Sequence, residues 1–441
     1  MPELSLPFPD ELMPPSGGQE NQLKTKTLAA CSPLALCLVS FSAHADLEPF
    51  TFGASETVKH ETNVFRSETH PQSDWVSTTE LRAGVDQALG RERLLLSGAV
   101  DFNRYKKLKK RNSTGYDGSA ELDWSTVGDL SGAFGVDAHR AEYLPGEVEV
   151  LDTTTNQVTT VSESNLQTTE HAFARASLGG ESRWRIFGGV DATRRKYSSQ
   201  SFAGNNEHQW SSNLGTSYST SPDLSFGLTG QYTNGEYPDN QLTGRASKFT
   251  VRSGSATTRL QASAASEFNA SVGYTEEHSD VLTSPKHFVN GSLNWVWTPP
   301  SRFKVTLGFK RSSDSDTGST GSNTGVVNAN NLNGVSINNV GMLDVSYEVT
   351  AKVSLGASGV YTQRKYADLR YLNPQTEQLD DANGTTRTTR FMVTAHYLPT
   401  RTTDVSCGAG RESRRVDTSL TLVTPAFTNN SVQCTASIKF D

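Results

Sequence analysis

Apolar and polar residues alternate along two neighbouring stretches of the chain. Between residues 289 and 297 every second residue is small or apolar, and Asn290, Ser292 and Asn294 between them are polar. The alternation resumes between residues 303 and 310, after a break that contains Pro299 and Pro300. A period of two is typical of a β-strand with one wet face, and prolines end a strand and favour a turn. The two stretches therefore predict an amphipathic β-hairpin.

The length of these runs indicates the kind of sheet. Strands in soluble sheets average about 5 to 6 residues. Strands of about 9 to 11 residues, with an apolar face toward lipid and a polar face toward a lumen, are typical of a transmembrane β-barrel. The runs of this hairpin fit the second class, so we predict an all-β protein, a transmembrane antiparallel β-barrel of the outer membrane.

The same hairpin unit recurs along the chain. Short turn signals stand at Gly90, Gly128, Gly180, Pro222, Ala265, Pro299, Thr350 and Pro399. Each turn joins two amphipathic runs, and an opening strand over Phe50–His60 and a closing strand over Val432–Phe440 complete the set. We predict about 18 strands, with 16 as the alternative, joined by short periplasmic turns and long outer loops. The long loops are expected over residues 142–168, 314–331 and 369–386.

Aromatic residues concentrate where the predicted strands meet the short turns. They are Trp124, Trp184, Phe268, Trp295, Trp297, Phe303 and Tyr397. Because amphipathic rings prefer the membrane interface, these residues are expected to form a girdle on the periplasmic side. Stacking of a sugar on some of the rings is the alternative.

The N-terminal region has the pattern of an export signal. An apolar segment over residues 28–42 follows Lys24 and Lys26 and precedes an Ala-His-Ala sequence. A basic region, a short apolar region and a small-residue cleavage site predict a secretory signal peptide. We expect residues 1–45 to be an extension with a signal peptide cleaved near Ala45, and residues 46–441 to be one barrel domain in the outer membrane of a Gram-negative bacterium. A short membrane anchor is the alternative for the apolar segment.

Composition alone would suggest a soluble protein, since hydrophobic residues are 34% of the chain and the mean hydropathy is −0.50. That reading does not hold for a barrel, in which only alternate residues meet lipid. The formal net charge is −7, of which residues 1–45 carry −2, so the remaining chain is acidic at −5. This balance argues against a nucleic-acid-binding protein.

Two cysteines remain after removal of the predicted signal, Cys407 and Cys434. They fall in the last two predicted strands, where one antiparallel register would place them directly opposite each other. Opposed residues are close enough for a disulfide, and exported proteins meet an oxidising compartment. A disulfide and two unpaired thiols both remain open at this point.

The sequence contains no catalytic motif that would support an enzyme. A nucleophile elbow, a zinc-binding HExxH helix and a Walker loop are all missing. We therefore predict no catalytic, cofactor-binding or metal-binding residues.

Two groups of charged residues are candidates for contact with solutes or lipids. The polar phase of the predicted strands places charges of both signs in the lumen: Arg183, Arg185, Asp191, Lys304, Lys310, Asp344 and Glu348. Mixed signs favour a hydrophilic lining without strong ion selectivity. A second group crowds one outer loop and could contact glycan or lipopolysaccharide phosphate: Lys106, Lys107, Lys109, Lys110 and Arg111. A solvated loop that only touches the outer leaflet is the alternative.

A short motif follows the first predicted strand: Glu61, Thr62, Asn63, Val64, Phe65 and Arg66. It resembles the acidic-polar-Asn-aliphatic-Phe-Arg signature near the mature N-terminus of the EpsL-type polysaccharide-biosynthesis outer-membrane proteins, which belong with the β-barrel porin 2 group. The turn at Ser221–Leu224 and the length of residues 46–441 are also similar to that family. The chain departs from the usual barrel-assembly signal because Asp441 follows the aromatic Phe440.

The resemblance implies a function in the export or surface assembly of exopolysaccharide, in bacteria that often carry exosortase (PEP-CTERM) sorting systems. It implies no catalytic residues. The expected partners are outer-membrane lipid and lipopolysaccharide, the exopolysaccharide, and periplasmic polysaccharide-export proteins. A general diffusion or sugar porin is one alternative function, and a structural barrel whose loops bind surface glycan is another.

Overall fold

The fold is all β in the computed structural model of the chain. The structure describes residues 49–143, 148–152, 157–161, 165–180, 182–239, 246–280, 284–315, 333–372, 379–420 and 426–440. The predicted signal peptide over residues 1–45 lies outside this set.

The strands are long and follow one another with few other elements. They are β1 (Phe50–Glu61), β2 (Asp74–Leu89), β3 (Glu92–Tyr105), β4 (Ser113–Ser125), β5 (Leu130–Glu142), β6 (Val148–Asp152), β7 (Gln157–Val161), β8 (Leu166–Leu178), β9 (Trp184–Tyr197), β10 (Glu207–Ser221), β11 (Leu224–Tyr237), β12 (Ser247–Ser263), β13 (Ser266–Ser279), β14 (Lys286–Trp297), β15 (Phe303–Ser315), β16 (Asn333–Thr350), β17 (Val353–Leu372), β18 (Leu379–Tyr397), β19 (Thr403–Val416) and β20 (Phe427–Phe440). Within the described ranges, no helix is long and apolar enough to cross a membrane.

Over the described residues, eighteen of the strands form one antiparallel sheet. Each strand pairs with its neighbour along the chain, and β5 pairs with β8 across the separate β6–β7 hairpin. The first strand also pairs with the last, from Phe52 opposite Phe440 to Glu61 opposite Ser431. This pairing closes the sheet and confirms the predicted barrel of about eighteen strands.

All eight predicted turns join consecutive strands at one end of the barrel, which we call the turn end. The turn between β2 and β3 consists of Gly90 and Arg91, and Gly90 has φ 74°. A tight hairpin turn needs this left-handed backbone, which glycine adopts without steric cost. The opposite end, with the longer connections, is the loop end.

Two of the predicted long loops differ from expectation. The segment 142–168 contains the β6–β7 hairpin. The segment 369–386 is mostly strand, because β17 continues to Leu372 and pairs with β18 up to Leu379, so the predicted loop there is wrong. Hydrogen bonds between the two strands satisfy the backbone N–H and C=O groups of these polar residues as well as water would. Residues 316–332 of the third predicted loop lie outside the described residues.

The exterior of the barrel carries a continuous belt of exposed apolar side chains. It includes Leu81, Leu96, Phe134, Ile186, Leu214, Leu228, Val272, Leu293, Leu307, Leu343, Leu355 and Phe391. A belt of this extent on a closed barrel is covered by lipid. The predicted girdle residues lie beside the short turns, and neighbouring aromatic rings contact each other there, as in the Trp184–Tyr218 pair with centroids 4.6 Å apart.

The closing strands hold the two predicted cysteines in the anticipated register. Cys407 of β19 lies directly opposite Cys434 of β20. Their sulfur atoms are joined in a disulfide with an S–S distance of 2.09 Å. Both residues are on the lipid-facing side, in the same phase as exposed Val432.

Candidate functional site

The lumen at mid-depth is accessible to water. Asp117, Asp137 and Arg175 alternate with the apolar belt and therefore point inward, and their side chains are 60%, 42% and 51% exposed. Inward side chains could not keep this exposure in a packed core. The interior at this level is an aqueous channel, as barrels of about 16 to 18 strands allow.

Acidic and histidine side chains form an ordered row along one part of this wall, from β4 to β9. His139 Nδ1 lies 3.2 Å from Asp117 Oδ2. His171 lies between two carboxylates, with Nδ1 2.7 Å from Asp137 Oδ1 and Nε2 3.3 Å from Asp191 Oδ1. Of these five residues only Asp191 was predicted from the sequence to line the lumen, although the other four also fall on the polar phase of their strands.

The other predicted lumen residues share the inward phase with one exception. Arg185, Lys304, Lys310, Asp344 and Glu348 alternate with exposed apolar neighbours and so belong to the inner wall. Arg183 precedes β9 in a short turn and is exposed, so its placement on the wall stays a prediction.

Phe187 and Phe173 depart from the apolar-outward rule at mid-depth. Phe187 points inward, where the Arg185 guanidinium carbon lies 5.5 Å from its ring centroid. The ring lies against Gly215 of β10, where a Cβ atom would overlap it. A glycine on the facing strand thus allows a large ring to lie flat on the lumen wall.

The lumen wall at the loop end is packed. Inward residues near the ends of many strands are buried there: Glu61, Asp74, Ser113, Glu207, Tyr237, Phe249, Glu277, Ser336, Tyr366, Thr386 and Asn429. Inward side chains are therefore in water at mid-depth, whereas inward side chains at the mouth are buried.

The centre of this packing is the connection between β1 and β2, residues 62–73, which we call the motif loop. Asn63, Val64 and Phe65 are 2%, 0% and 1% exposed. The Val64 amide donates a hydrogen bond to the Gln72 carbonyl (2.9 Å), and Arg66 has φ 50°. The six residues that carry the family resemblance thus begin at the end of β1 and turn back into the barrel.

Charged and amide side chains attach the motif loop to the inner wall of β19 and β20. Arg66 Nη2 lies 3.0 Å from Glu61 Oε1 and 3.4 Å from Glu412 Oε2. Asn429 Nδ2 donates to Glu61 Oε1 (3.0 Å), and its Oδ1 accepts the Asn63 amide (3.0 Å). Burial alone would lower the pKa of Arg66, but the carboxylates of Glu61 and Glu412 raise it, so the guanidinium stays charged.

A second set of contacts holds the opposite side of the motif loop. The Arg111 guanidinium carbon lies 5.1 Å from the Phe65 ring centroid and 5.8 Å from that of Tyr105. Arg111 also pairs with Glu142, whose carboxylate accepts the Tyr105 hydroxyl (2.6 Å). Cation–π contacts gain strength when they are removed from water, as these are.

Arg111 therefore differs from its predicted role in contact with glycan or lipopolysaccharide. It is 2% exposed, because it covers Phe65 and pairs with Glu142. The four lysines beside it, Lys106, Lys107, Lys109 and Lys110, are exposed. The basic outer loop thus divides into an exposed lysine group and one buried arginine that packs on the motif loop.

These features define an outer-membrane-type β-barrel with a water-accessible lumen and a loop folded into one mouth. No family model matches the chain, and no curated protein matches it. The solved structures include similar barrels. The outer-membrane protein OpdK of Pseudomonas aeruginosa has 12% identity and a TM-score of 0.49, over 89% of this chain and 100% of that one. The FrpB iron transporter of Neisseria meningitidis has 12% identity and a TM-score of 0.45, over 83% of this chain.

The chain spans 62% of the length of that FrpB structure. The siderophore receptor PirA of Pseudomonas aeruginosa has 10% identity and a TM-score of 0.43, over 88% of this chain and 81% of the receptor. Likeness at this level assigns no function. The fold is established by the strand pairings of the chain itself.

Proposed function

We propose that this protein is an outer-membrane channel that gives an extended, hydrated exopolysaccharide a polar path across the membrane. The observation that carries the proposal is the water-accessible lumen of an eighteen-stranded barrel, with inward Asp117 60% exposed. A glycan needs hydroxyl-matching polar groups along its path and a bore wider than a small solute needs, and barrels of about 16 to 18 strands provide one. The resemblance of the Glu61–Arg66 motif to EpsL-type proteins supports a glycan as the solute.

In this proposal the motif loop closes the outer mouth until a glycan arrives. Its contacts with β19 and β20 are made largely by side chains of Glu61, Asn63, Arg66, Glu412 and Asn429. Such contacts can be exchanged for water or for glycan hydroxyls without breaking the backbone ladder of the barrel. Polymer synthesis at the inner membrane and periplasmic polysaccharide-export proteins would supply the driving force.

Two rival functions each have an observation in their favour. The mixed-sign wall that includes His171, Asp191 and Arg175 also suits a general diffusion or sugar porin. The packed loop end suits a structural barrel whose outer loops bind surface glycan. Conductance and its response to polymer separate the three functions.

The test is single-channel conductance of the purified full chain in planar bilayers, with the exopolysaccharide of its own bacterium or with dextran of matched length as the control. The proposal predicts conductance events that the exopolysaccharide blocks at lower concentration than dextran does. Steady conductance with equal responses to both polymers would favour the porin. Silence in the wild type and in variants that release the motif loop would favour the structural barrel.

A further inference from the structure

The exterior of the barrel carries an unusual group of cations at the loop end of β17, β18 and β19. Lys365, Arg387, Arg411 and Arg415 are all exposed. They share the lipid-facing phase with Tyr361 and Phe391, which are 45% and 52% exposed in the apolar belt. We call these four residues the basic patch.

The strand register brings two of the cations face to face. Arg387 and Arg415 are direct cross-strand partners. Directly opposed residues have Cβ atoms about 4.5 to 5.5 Å apart, and like charges in that arrangement destabilise a sheet. Lys365 is diagonal to Arg387, because its strand neighbour Gln363 is the direct partner of Arg387. The fold thus holds three cations together at a cost.

One described acid partly offsets this charge: Asp417, in the connection after β19, reaches Arg387 at 3.4 Å. Among the side chains that the structure describes, Lys365, Arg411 and Arg415 have no ion pair. Within that part of the chain, the four cations of the basic patch therefore share one carboxylate.

Two other exterior arginines at the same end of the barrel are paired with glutamates directly across the ladder. Arg194 is opposite Glu170 and lies 3.6 Å from it, and Arg252 is opposite Glu276 and lies 3.8 Å from it. The basic patch differs from these two pairs, because Arg387 is opposite an arginine. An external anion would supply the missing negative charge.

We propose that the basic patch binds the phosphate groups of a lipid in the outer leaflet. Arg411 is level with Phe391, its direct partner, while Arg387 and Arg415 lie four residues further along their strands, away from the belt. Cations immediately above an exposed apolar surface can bind a phosphorylated headgroup while the acyl chains lie on the belt. Guanidinium groups suit phosphate because they donate paired hydrogen bonds in a planar fork. Thr389 and Ser413, which lie between the arginines on the same face, add hydroxyl groups.

The test measures binding of bis-phosphorylated lipid A to the full chain in detergent, by native mass spectrometry. The variant neutralises three cations: Arg387→Gln, Arg411→Gln and Arg415→Gln. A basic residue near an anionic lipid surface contributes about fivefold in affinity, so the triple variant should bind roughly a hundredfold more weakly. The matched control, Arg252→Gln with Glu276→Gln, removes a neutral pair and should stay within about twofold of the wild type.

Two further arms identify the ligand. Lipid A without phosphates should bind the wild type as weakly as bis-phosphorylated lipid A binds the triple variant. Inorganic phosphate should fail to displace lipid A, because it lacks the chains that lie on the belt. Unchanged lipid A binding by the triple variant would overturn the proposal, and so would displacement by inorganic phosphate at equal concentration.

The single variant Arg415→Gln tests the proposal independently of whether the triple variant folds. Arg415→Gln relieves the like-charge contact with Arg387, so the barrel should unfold at equal or higher temperature in lipid-free detergent. The same variant should bind lipid A about fivefold more weakly. A lower unfolding temperature together with unchanged lipid A binding would show that Arg415 has a purely structural role and would contradict the proposal.

Discussion

The two halves of the lumen are built from the same strands and the same alternation of residues, yet their environments are opposite. At mid-depth and toward the turn end, Asp117 and Arg175 point inward and stand in water. At the loop end, Ser336, Thr386 and Asn429 also point inward and are 0%, 5% and 3% exposed. Alternation along a strand determines whether a side chain points to lipid or to the lumen. Whether an inward side chain contacts water depends on the segments that fold into the lumen at its level.

The motif loop accounts for the part of this difference that lies beside β1, β19 and β20. It inserts Val64 and Phe65 among the strand ends, where they are 0% and 1% exposed, and it brings a charged arginine with them. A buried charge is tolerated only where partners meet it, and Arg66 has carboxylates from Glu61 and Glu412. The loop end is thus specified by polar contacts, whereas the mid-depth wall needs only to be hydrophilic.

The largest effect is expected from Arg66→Ala, which removes the cation that the buried carboxylates of Glu61 and Glu412 share. Lys59 then remains as the cation beside Glu61, and Arg390 as the cation beside Glu412. Breaking a buried ion pair from one side costs about 3 to 5 kcal/mol, here in the free energy of closing the motif loop. Hydrogen exchange at the Val64 amide should accelerate accordingly. The control is Arg82→Ala, since the Arg82–Glu80 pair is 53% and 32% exposed and such pairs contribute about 1 kcal/mol or less. Equal exchange in the two variants would contradict the ionic attachment.

Phe65→Ala is expected to loosen the motif loop by about 3 kcal/mol, the lower part of the range for a buried phenylalanine, because water can fill the space at the mouth. The measurement is the rate of protease cleavage within residues 66–73. Phe391→Ala is the control because its ring is 52% exposed on the lipid side. Cleavage that does not change in Phe65→Ala would mean that the ring does not hold the loop in place.

Asn429→Ala removes three hydrogen bonds: one to the Glu61 carboxylate, one from the Asn63 amide and a longer one, 3.4 Å, from the Thr62 hydroxyl. Loss of a bond to a charged group and of the neutral bonds predicts about 2 kcal/mol of loop destabilisation. Since Asn429 and Arg66 both contact Glu61, the double variant should cost less than the sum of the single variants. Strict additivity in hydrogen exchange would show that the two residues act independently.

The smallest effect on stability is expected on the wet wall. Asp117→Asn should change the free energy of unfolding by about 0.5 kcal/mol or less, because the side chain is 60% exposed. It should, however, lower the preference of the channel for cations, measured as the reversal potential in a salt gradient. Glu170→Gln on the exterior is the matched control and should leave the reversal potential unchanged. A shift of equal size in both variants would place Asp117 outside the ion path.

The sequence predicted the barrel because its alternation is local. The turns from Gly90 to Pro399 and both closing strands can be predicted from residues that are close in sequence. Contact with lipid requires an apolar side chain at the outward positions of each strand. The register that sets Cys407 opposite Cys434 was one of the open possibilities, since the connection over residues 417–426 does not fix the pairing of β19 and β20 as a short turn would. Strand pairing between sequence neighbours needs no long-range information.

The packed mouth could not be predicted in the same way. Arg66 contacts Glu412, which is 346 positions away in sequence, and Asn63 contacts Asn429, which is 366 positions away. Arg111 sits in a run of lysines that suggests a solvated loop, and only its contact with Phe65 distinguishes it. Phe187 departs from the apolar-outward pattern, and the glycine that makes room for its ring, Gly215, lies on the next strand. These features depend on partners that a single stretch of sequence does not contain.

Single-channel conductance of the wild type beside Arg66→Ala shows whether the motif loop closes an otherwise aqueous barrel. We expect a low or intermittent conductance in the wild type and a larger, steadier one in Arg66→Ala, with Arg82→Ala resembling the wild type. Equal conductance in the wild type and Arg66→Ala, whether high or absent, would contradict it, because the motif loop would then not control the lumen.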